Sequence, residues 1–144
     1  MTPQKIVHAD GSQEWFLDKK LHRLDGPAVI FSDGSQFWFL EGRRHRLDGP
    51  AVINADGSQQ WWQNGNRHRL DGPAVIYTDG HQEWWQNGKK HRLDGPAIIH
   101  TNGNQYWRIC DQDMNEEIES WMKSLGVCWP WNEETQTQFL LAWG

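Results

Sequence analysis

The heptapeptide His-Arg-Leu-Asp-Gly-Pro-Ala begins at His22, His45, His68 and His91, once every 23 residues. Asp-Gly keeps the same step at Asp10, Asp33, Asp56 and Asp79, and becomes Asn102-Gly103 in the last unit. Trp15, Trp38, Trp61, Trp84 and Trp107 hold the same interval. A period that never slips restricts the chain to an array in which one short unit stacks on the next and touches mainly its neighbours. A length of 144 residues suits one such domain, with residues 1–109 as the repeat array and 110–144 as a helical cap belonging to it.

Each unit reads as a β-hairpin. In the second, Pro27–Ser32 is a short run whose first position tolerates proline. Asp33-Gly34 is a hairpin turn signal, because glycine accepts positive φ. Gln36–Leu40 is an aromatic second strand. Glu41-Gly42 turns the chain again, as do Asn64-Gly65 and Asn87-Gly88; in the first unit Lys19 stands where later units have glycine. The expected fold is mainly β: an elongated antiparallel meander of about five hairpins with a short two-helix C-terminal cap. Ten strands at roughly 4.8 Å each span on the order of 45–50 Å. An even-length loop at Asp33-Gly34 places Val29 opposite Trp38 and Ile30 opposite Phe37. One face then carries Val29, Phe31, Gln36 and Trp38, and the other Ala28, Ile30, Phe37 and Phe39. An odd, bulged turn breaks that parity.

The unit resembles a variant of the MORN repeat. Glu83-Trp84-Trp85-Gln86-Asn87-Gly88-Lys89-Lys90-His91 followed by Asp94-Gly95-Pro96-Ala97 and a strand keeps the tryptophan, the Asn-Gly-Lys turn and the histidine in step with that family. It departs in Gly-Pro-Ala for Gly-x-Gly, and in tryptophan where the family often has Glu-Gly. The resemblance covers roughly residues 8–107. It implies scaffolding, protein contact, dimerisation and lipid binding, and no chemistry. The His-Arg-x-Asp-Gly-Pro-Ala variant is similar to small phage and bacterial proteins, which implies an accessory role such as inhibition of a host defence system.

The tail has another character. Met114–Leu125 sets Met114, Ile118, Trp121, Met122 and Leu125 on one helical stripe. Asp113 and Glu116 can form a capping box and Gly126 a stop. Asn132 can cap a second helix, Glu133–Trp143, with Phe139, Leu140 and Trp143 apolar. Residues 1–107 balance 12 basic against 12 acidic side chains, whereas 108–144 hold 2 against 7. The acidity sits largely in first helical turns, where the helix dipole favours it. A neutral repeat body argues against a double-stranded nucleic-acid groove. Cys110 and Cys128 read as two reduced thiols in a cytoplasmic protein, in the host cytoplasm if phage-encoded. Met1 to Asp10 lacks the apolar stretch of a secretory signal, and no run is long enough to span a bilayer.

The chemistry-bearing residues recur with the scaffold. Adjacent histidines of the motif lie about 9–10 Å apart, two strands, too far to share one ion at metal–nitrogen distances of about 2 Å. Their expected role is structural, with histidine and aspartate bonding turn backbone and arginine in solvent. A His-Asp pair copied four times does not look like a catalytic site, and no nucleophile elbow or phosphate loop is present; no enzyme activity and no cofactor or metal are expected. The outlier is tryptophan, with 11 copies. Two helices of about 18 by 10 Å can roof one end of the sheet but not both faces. An open aromatic row is expected to bind a protein partner, centred on Phe39, Trp62 and Trp85 and the variable positions Phe37, Gln60, Glu83 and Tyr106. A homodimer through that face is a further expectation. Arg67, Arg69, Lys89, Lys90 and Arg92 beside the Trp-Trp pairs could instead hold the phosphate of a stacked nucleotide. A weak peripheral lipid binder is the third reading. Aspartates offset the basic turns and weigh against a membrane surface.

Overall fold

A computed structural model describes all residues, Met1–Gly144. The molecule is mainly β. Ten strands from Gln4–Val7 to Gln105–Tyr106 follow one another in chain order in one antiparallel sheet, with Lys20–Leu21 paired off the main path. Two helices, α1 (Asn115–Leu125) and α2 (Glu133–Trp143), close the C-terminal end. No helix is long and apolar enough to cross a membrane. The accessible surface is 8713 Å², against about 7,700 Å² for a compact monomer of this mass, as a drawn-out array requires.

Each unit makes two hairpins. Val29–Ile30 pairs with Gln36–Phe37 in the long sheet, and Phe39–Leu40 pairs with Arg43–Arg44 in a small ribbon beside it. The expected strand Gln36–Leu40 is therefore broken at Trp38. The Trp38 N–H donates to Ala51 O in the sheet, while Trp38 O accepts from His45 N in the ribbon. One residue thus serves two ladders and bends the chain from one to the other. Successive ribbons are knitted together as well: Gly65 N–H donates to Arg44 O and Gly88 N–H to Arg67 O. The ribbon turns have two residues, both at positive φ, such as Glu41 at 50° and Gly42 at 79°, as a two-residue hairpin loop requires. Asp18-Lys19 and Cys110-Asp111 adopt this conformation without glycine, so the two terminal units carry the strained turns.

The other turn corrects the expected register. Phe31 N–H donates to Ser35 O, Gly34 N–H donates to Phe31 O, and Gly34 sits at φ 92°. This is a three-residue loop with a bulge, hence odd. Val29 lies opposite Phe37, and Ile30 opposite Gln36. One face carries Val29, Phe37, Val52, Gln60, Val75 and Glu83 in a continuous row, the other Ile30, Gln36, Ile53, Gln59, Ile76 and Gln82. The core is thin: only 18 of 144 residues are buried, so contacts between units carry much of the stability. Ala28, Ala51, Ala74 and Ala97 are wholly buried beside Val29, Val52, Val75 and Ile98.

Two polar staples join unit to unit. Ser12 Oγ accepts from Ser32 N–H, and buried Ser35 Oγ accepts from Ala55 N–H at 2.9 Å. Ser35→Ala is expected to cost about 1 kcal/mol, read as a lower urea midpoint with unchanged slope. The motif histidines reach further. Nδ1 of His22, His45, His68 and His91 accepts the backbone N–H of Glu41, Asn64, Asn87 and Cys110, each in the next unit's ribbon turn. Burial pushes His91 below its usual value of 6.5. The folded imidazole then binds a proton less readily than the unfolded one. Its contribution is present in full above the unfolded value and is lost as pH falls from there toward the folded value. Stability is expected to decline as pH falls below the unfolded value of 6.5, and His91→Gln to flatten that decline in pH-dependent urea titrations.

The cap is a separate apolar cluster. Trp107, Ile118 and Phe139 are its buried centre, packed by Leu93, Met114, Trp121, Trp131 and Trp143. α2 begins as expected, with Asn132 Oδ1 accepting from Thr135 N–H. α1 begins one residue later than expected, after Met114 and without a side-chain cap, so the expected Asp113–Glu116 box is not formed; Asp113 Oδ1 instead accepts from Asn115 N–H, and Gly126 closes the helix at φ 67°. Leu125 and Leu140, expected on the apolar faces, are 44% and 43% exposed.

Candidate binding surface

The tryptophans fall into three populations. Trp107, Trp121, Trp129, Trp131 and Trp143 build or flank the cap cluster. Trp15, Trp38, Trp61 and Trp84 each lie under an arginine of the heptapeptide motif: the guanidinium carbons of Arg23, Arg46, Arg69 and Arg92 stand 3.9, 4.0, 3.9 and 3.8 Å from the ring centroids. These arginines were expected in solvent. Instead each donates Nε–H to the aspartate two residues on, at 2.7–3.0 Å, and Nη1–H to the carbonyl of the following proline. The aspartates serve arginine rather than turn backbone. Hydrogen bonds from Arg23 and Arg46, then their charge, hold Asp25 and Asp48 below the usual carboxylate range.

Trp62 and Trp85 form the third population, on the opposite side of the ribbons. Arg44 lies 5.1 Å from the Trp62 centroid and 5.5 Å from that of Phe37; Arg67 lies 5.2 Å from Trp62 and 5.1 Å from Trp85; Lys90 lies 5.3 Å from Trp85. The result is an alternating row of cation and ring: Phe37, Arg44, Trp62, Arg67, Trp85, Lys90. The register explains it, since Phe39 pairs with Arg44, Trp62 with Arg67, and Trp85 with Lys90. The variable sheet positions support the rings. Trp62 Nε1–H donates to Gln60 Oε1 at 3.1 Å, and Trp85 Nε1–H to Glu83 Oε2 at 2.7 Å. Burial opposes ionisation of Glu83, but hydrogen bonds from His81 and Trp85 and the charge of Lys90 outweigh it and lower its pKa.

The site residues expected from the sequence are thus partly united. Phe37, Phe39, Gln60, Trp62, Glu83 and Trp85 share the row with Arg67 and Lys90. Arg69 and Arg92 do not: they stack on Trp61 and Trp84 and pair with Asp71 and Asp94. Lys89 is exposed in its ribbon strand beside the turn, and Tyr106 stands one unit further along, edge-on to His100 at 5.3 Å. Nothing in the sequence singles out Arg44, because its place between two rings depends on the ribbon register. A cluster around His81 also went unread. His81 and His100 lie 4.6 Å apart, Tyr77 packs beside them, and His81 Nε2 is 3.0 Å from Glu83 Oε1. Its signal was His81, standing where three earlier units have serine. Cys110 and Cys128 are free and exposed.

No protein-family profile matches this chain, and comparison with curated proteins finds no relative.

Proposed function

We propose that the chain is a non-enzymatic binding module whose Trp62–Trp85 row receives an acidic protein surface. One observation carries this reading. Arg23, Arg46, Arg69, Arg92 and Arg108 each pair with an aspartate, whereas Arg44 and Arg67 are held between rings with no carboxylate partner, their Nε–H groups buried and unbonded. The rings remove water from one side of each guanidinium and fix its orientation, so little side-chain entropy is left to lose on binding. Tryptophan and arginine in alternation are the residue types that dominate binding energy at protein interfaces. The cap leaves this row open, because it packs on Leu93 and Trp107 on the other side. The resemblance to MORN repeats supports a protein-contact role, and the variant's similarity to small phage and bacterial proteins supports an inhibitor acting in a host cytoplasm. A homodimer through the row is the variant reading in which the second copy supplies the acid.

The nucleotide-sequestering reading has weaker support: the gaps between the rings, where a base would stack, already hold Arg44 and Arg67. A lipid-surface role rests on the family resemblance alone. The test is affinity capture from native host cells with the wild-type chain beside an R44E/R67E variant. An acidic protein captured by the first and lost from the second supports the proposal. Equal capture by both, or a nucleotide retained by the purified protein in native mass spectrometry, overturns it.

A further inference from the structure

The cap shows what one copy of a repeated surface binds. At the fourth Arg-Leu-Asp-Gly-Pro loop, Trp129 Nε1–H donates to Asp94 O at 2.9 Å and Gln136 Nε2–H donates to Leu93 O at 2.7 Å. Leu93 packs into the cap cluster, and Gly95 and Pro96 are buried. The indole lies so close over Gly95 that a Cβ there would stand 2.7 Å from Trp129 Nε1. Arg92 Cζ would stand 2.8 Å from the same Cβ, so glycine there admits both the indole and the arginine, and no unusual φ requires it.

The other three loops have the same sequence and the same internal geometry. Arg23, Arg46 and Arg69 hold their aspartates at 2.9, 2.9 and 3.0 Å and stack on their tryptophans as Arg92 does. Yet Leu24, Leu47 and Leu70 are 82%, 74% and 74% exposed. At Gly26, Gly49 and Gly72 the nearest atoms belong to the unit's own arginine, so the place taken by the Trp129 indole is open. Clefts between consecutive loops, one of about 720 Å³ lined by Leu24, Trp38 and Leu47, continue the surface along the array. Leu40 and Trp38 face this side, and Phe39 the ladder of Trp62, so this surface is separate from the one proposed above.

We infer that the loops at Leu24, Leu47 and Leu70 are docking positions for a partner segment with the chemistry of the chain's own cap: an indole whose N–H reaches the aspartate carbonyl, followed by a helix whose carboxamide reaches the leucine carbonyl and whose apolar face covers the leucine. The interface inside the molecule is the pattern, and the three uncovered copies repeat its receiving half. Copies are about 9–10 Å apart and a two-helix segment is about 20 Å across, so with the cap resident on the Leu93 loop one further segment fits on the array.

The test uses the full chain and, as probe, a fluorescent peptide of residues 113–144. Saturable binding to wild type, weakened at least about tenfold by L24E/L47E/L70E and absent for a peptide carrying Trp129→Ala and Gln136→Ala, is the expected result. The three leucines are exposed, so the triple variant keeps its fold, checked by an unchanged urea midpoint. No saturable binding overturns the inference. So does binding that survives the triple variant, which marks displacement of the resident cap from Leu93.

Discussion

Alanine at both Trp62 and Trp85 is expected to weaken partner capture by about 100-fold or more while the long sheet stays folded. Two interface tryptophans at about 1.4 kcal/mol or more each account for that factor. The sheet survives because these residues lie in the ribbons Trp62–Gln63 with Asn66–Arg67 and Trp85–Gln86 with Lys89–Lys90, outside the ten-strand ladder. Their indoles donate to the Gln60 and Glu83 side chains and lie against Arg44, Arg67 and Lys90. Removing them frees Arg44 and Arg67 to swing into water, so the preorganised hydrogen-bond donors vanish together with the rings. Affinity for the captured partner is read by titration, and folding by the urea transition. A variant that loses its cooperative transition would place Trp62 and Trp85 in the core and remove the basis of the proposed surface.

Phe139→Ala is expected to cost about 3–5 kcal/mol and to release the cap from the array. Phe139 is wholly buried, with ring centroids 4.7 Å from Trp131, 4.9 Å from Trp143 and 5.7 Å from Trp121. Alanine leaves a ring-sized void that helices of 11 residues cannot close without losing contact with Trp107. Domains of this size have only about 5–15 kcal/mol of total stability, so the loss falls on a large fraction of it. The consequence reaches beyond the cap. Gln105–Tyr106 is the last strand of the sheet, and losing its neighbour exposes an unpaired edge. Near-ultraviolet circular dichroism should lose the cap's tryptophan signal at a lower urea concentration than the far-ultraviolet signal of the sheet, with self-association following. One coincident transition at the wild-type midpoint would show that the cap contributes nothing to the array.

The sequence made the repeat, its turns and both helices legible, and it pointed to Phe39, Trp62 and Trp85 as a set. It did not place Arg44 and Arg67 between the rings, since cross-ribbon pairing follows from where the strand breaks, and Trp38 breaks it by donating to one ladder and accepting from another. Nor did it distinguish Arg67 and Lys90 from Arg69 and Arg92, two sets of cations on opposite sides of one ribbon.

What the sequence determined alone was local: the 23-residue step, glycine at most of the turn positions with positive φ, Asn132 at the start of α2 and Gly126 at the end of α1. These depend on a few neighbouring dihedral angles and on capping groups within one turn. The tertiary structure decided everything that hangs on parity and competition. One residue more or less in the loop at Gly34 exchanges the two faces of every unit. An arginine chooses between water and an indole only when the next strand has brought the indole beside it. The cap could have covered any of four equal loops by their sequence, and chain connectivity gave it the last.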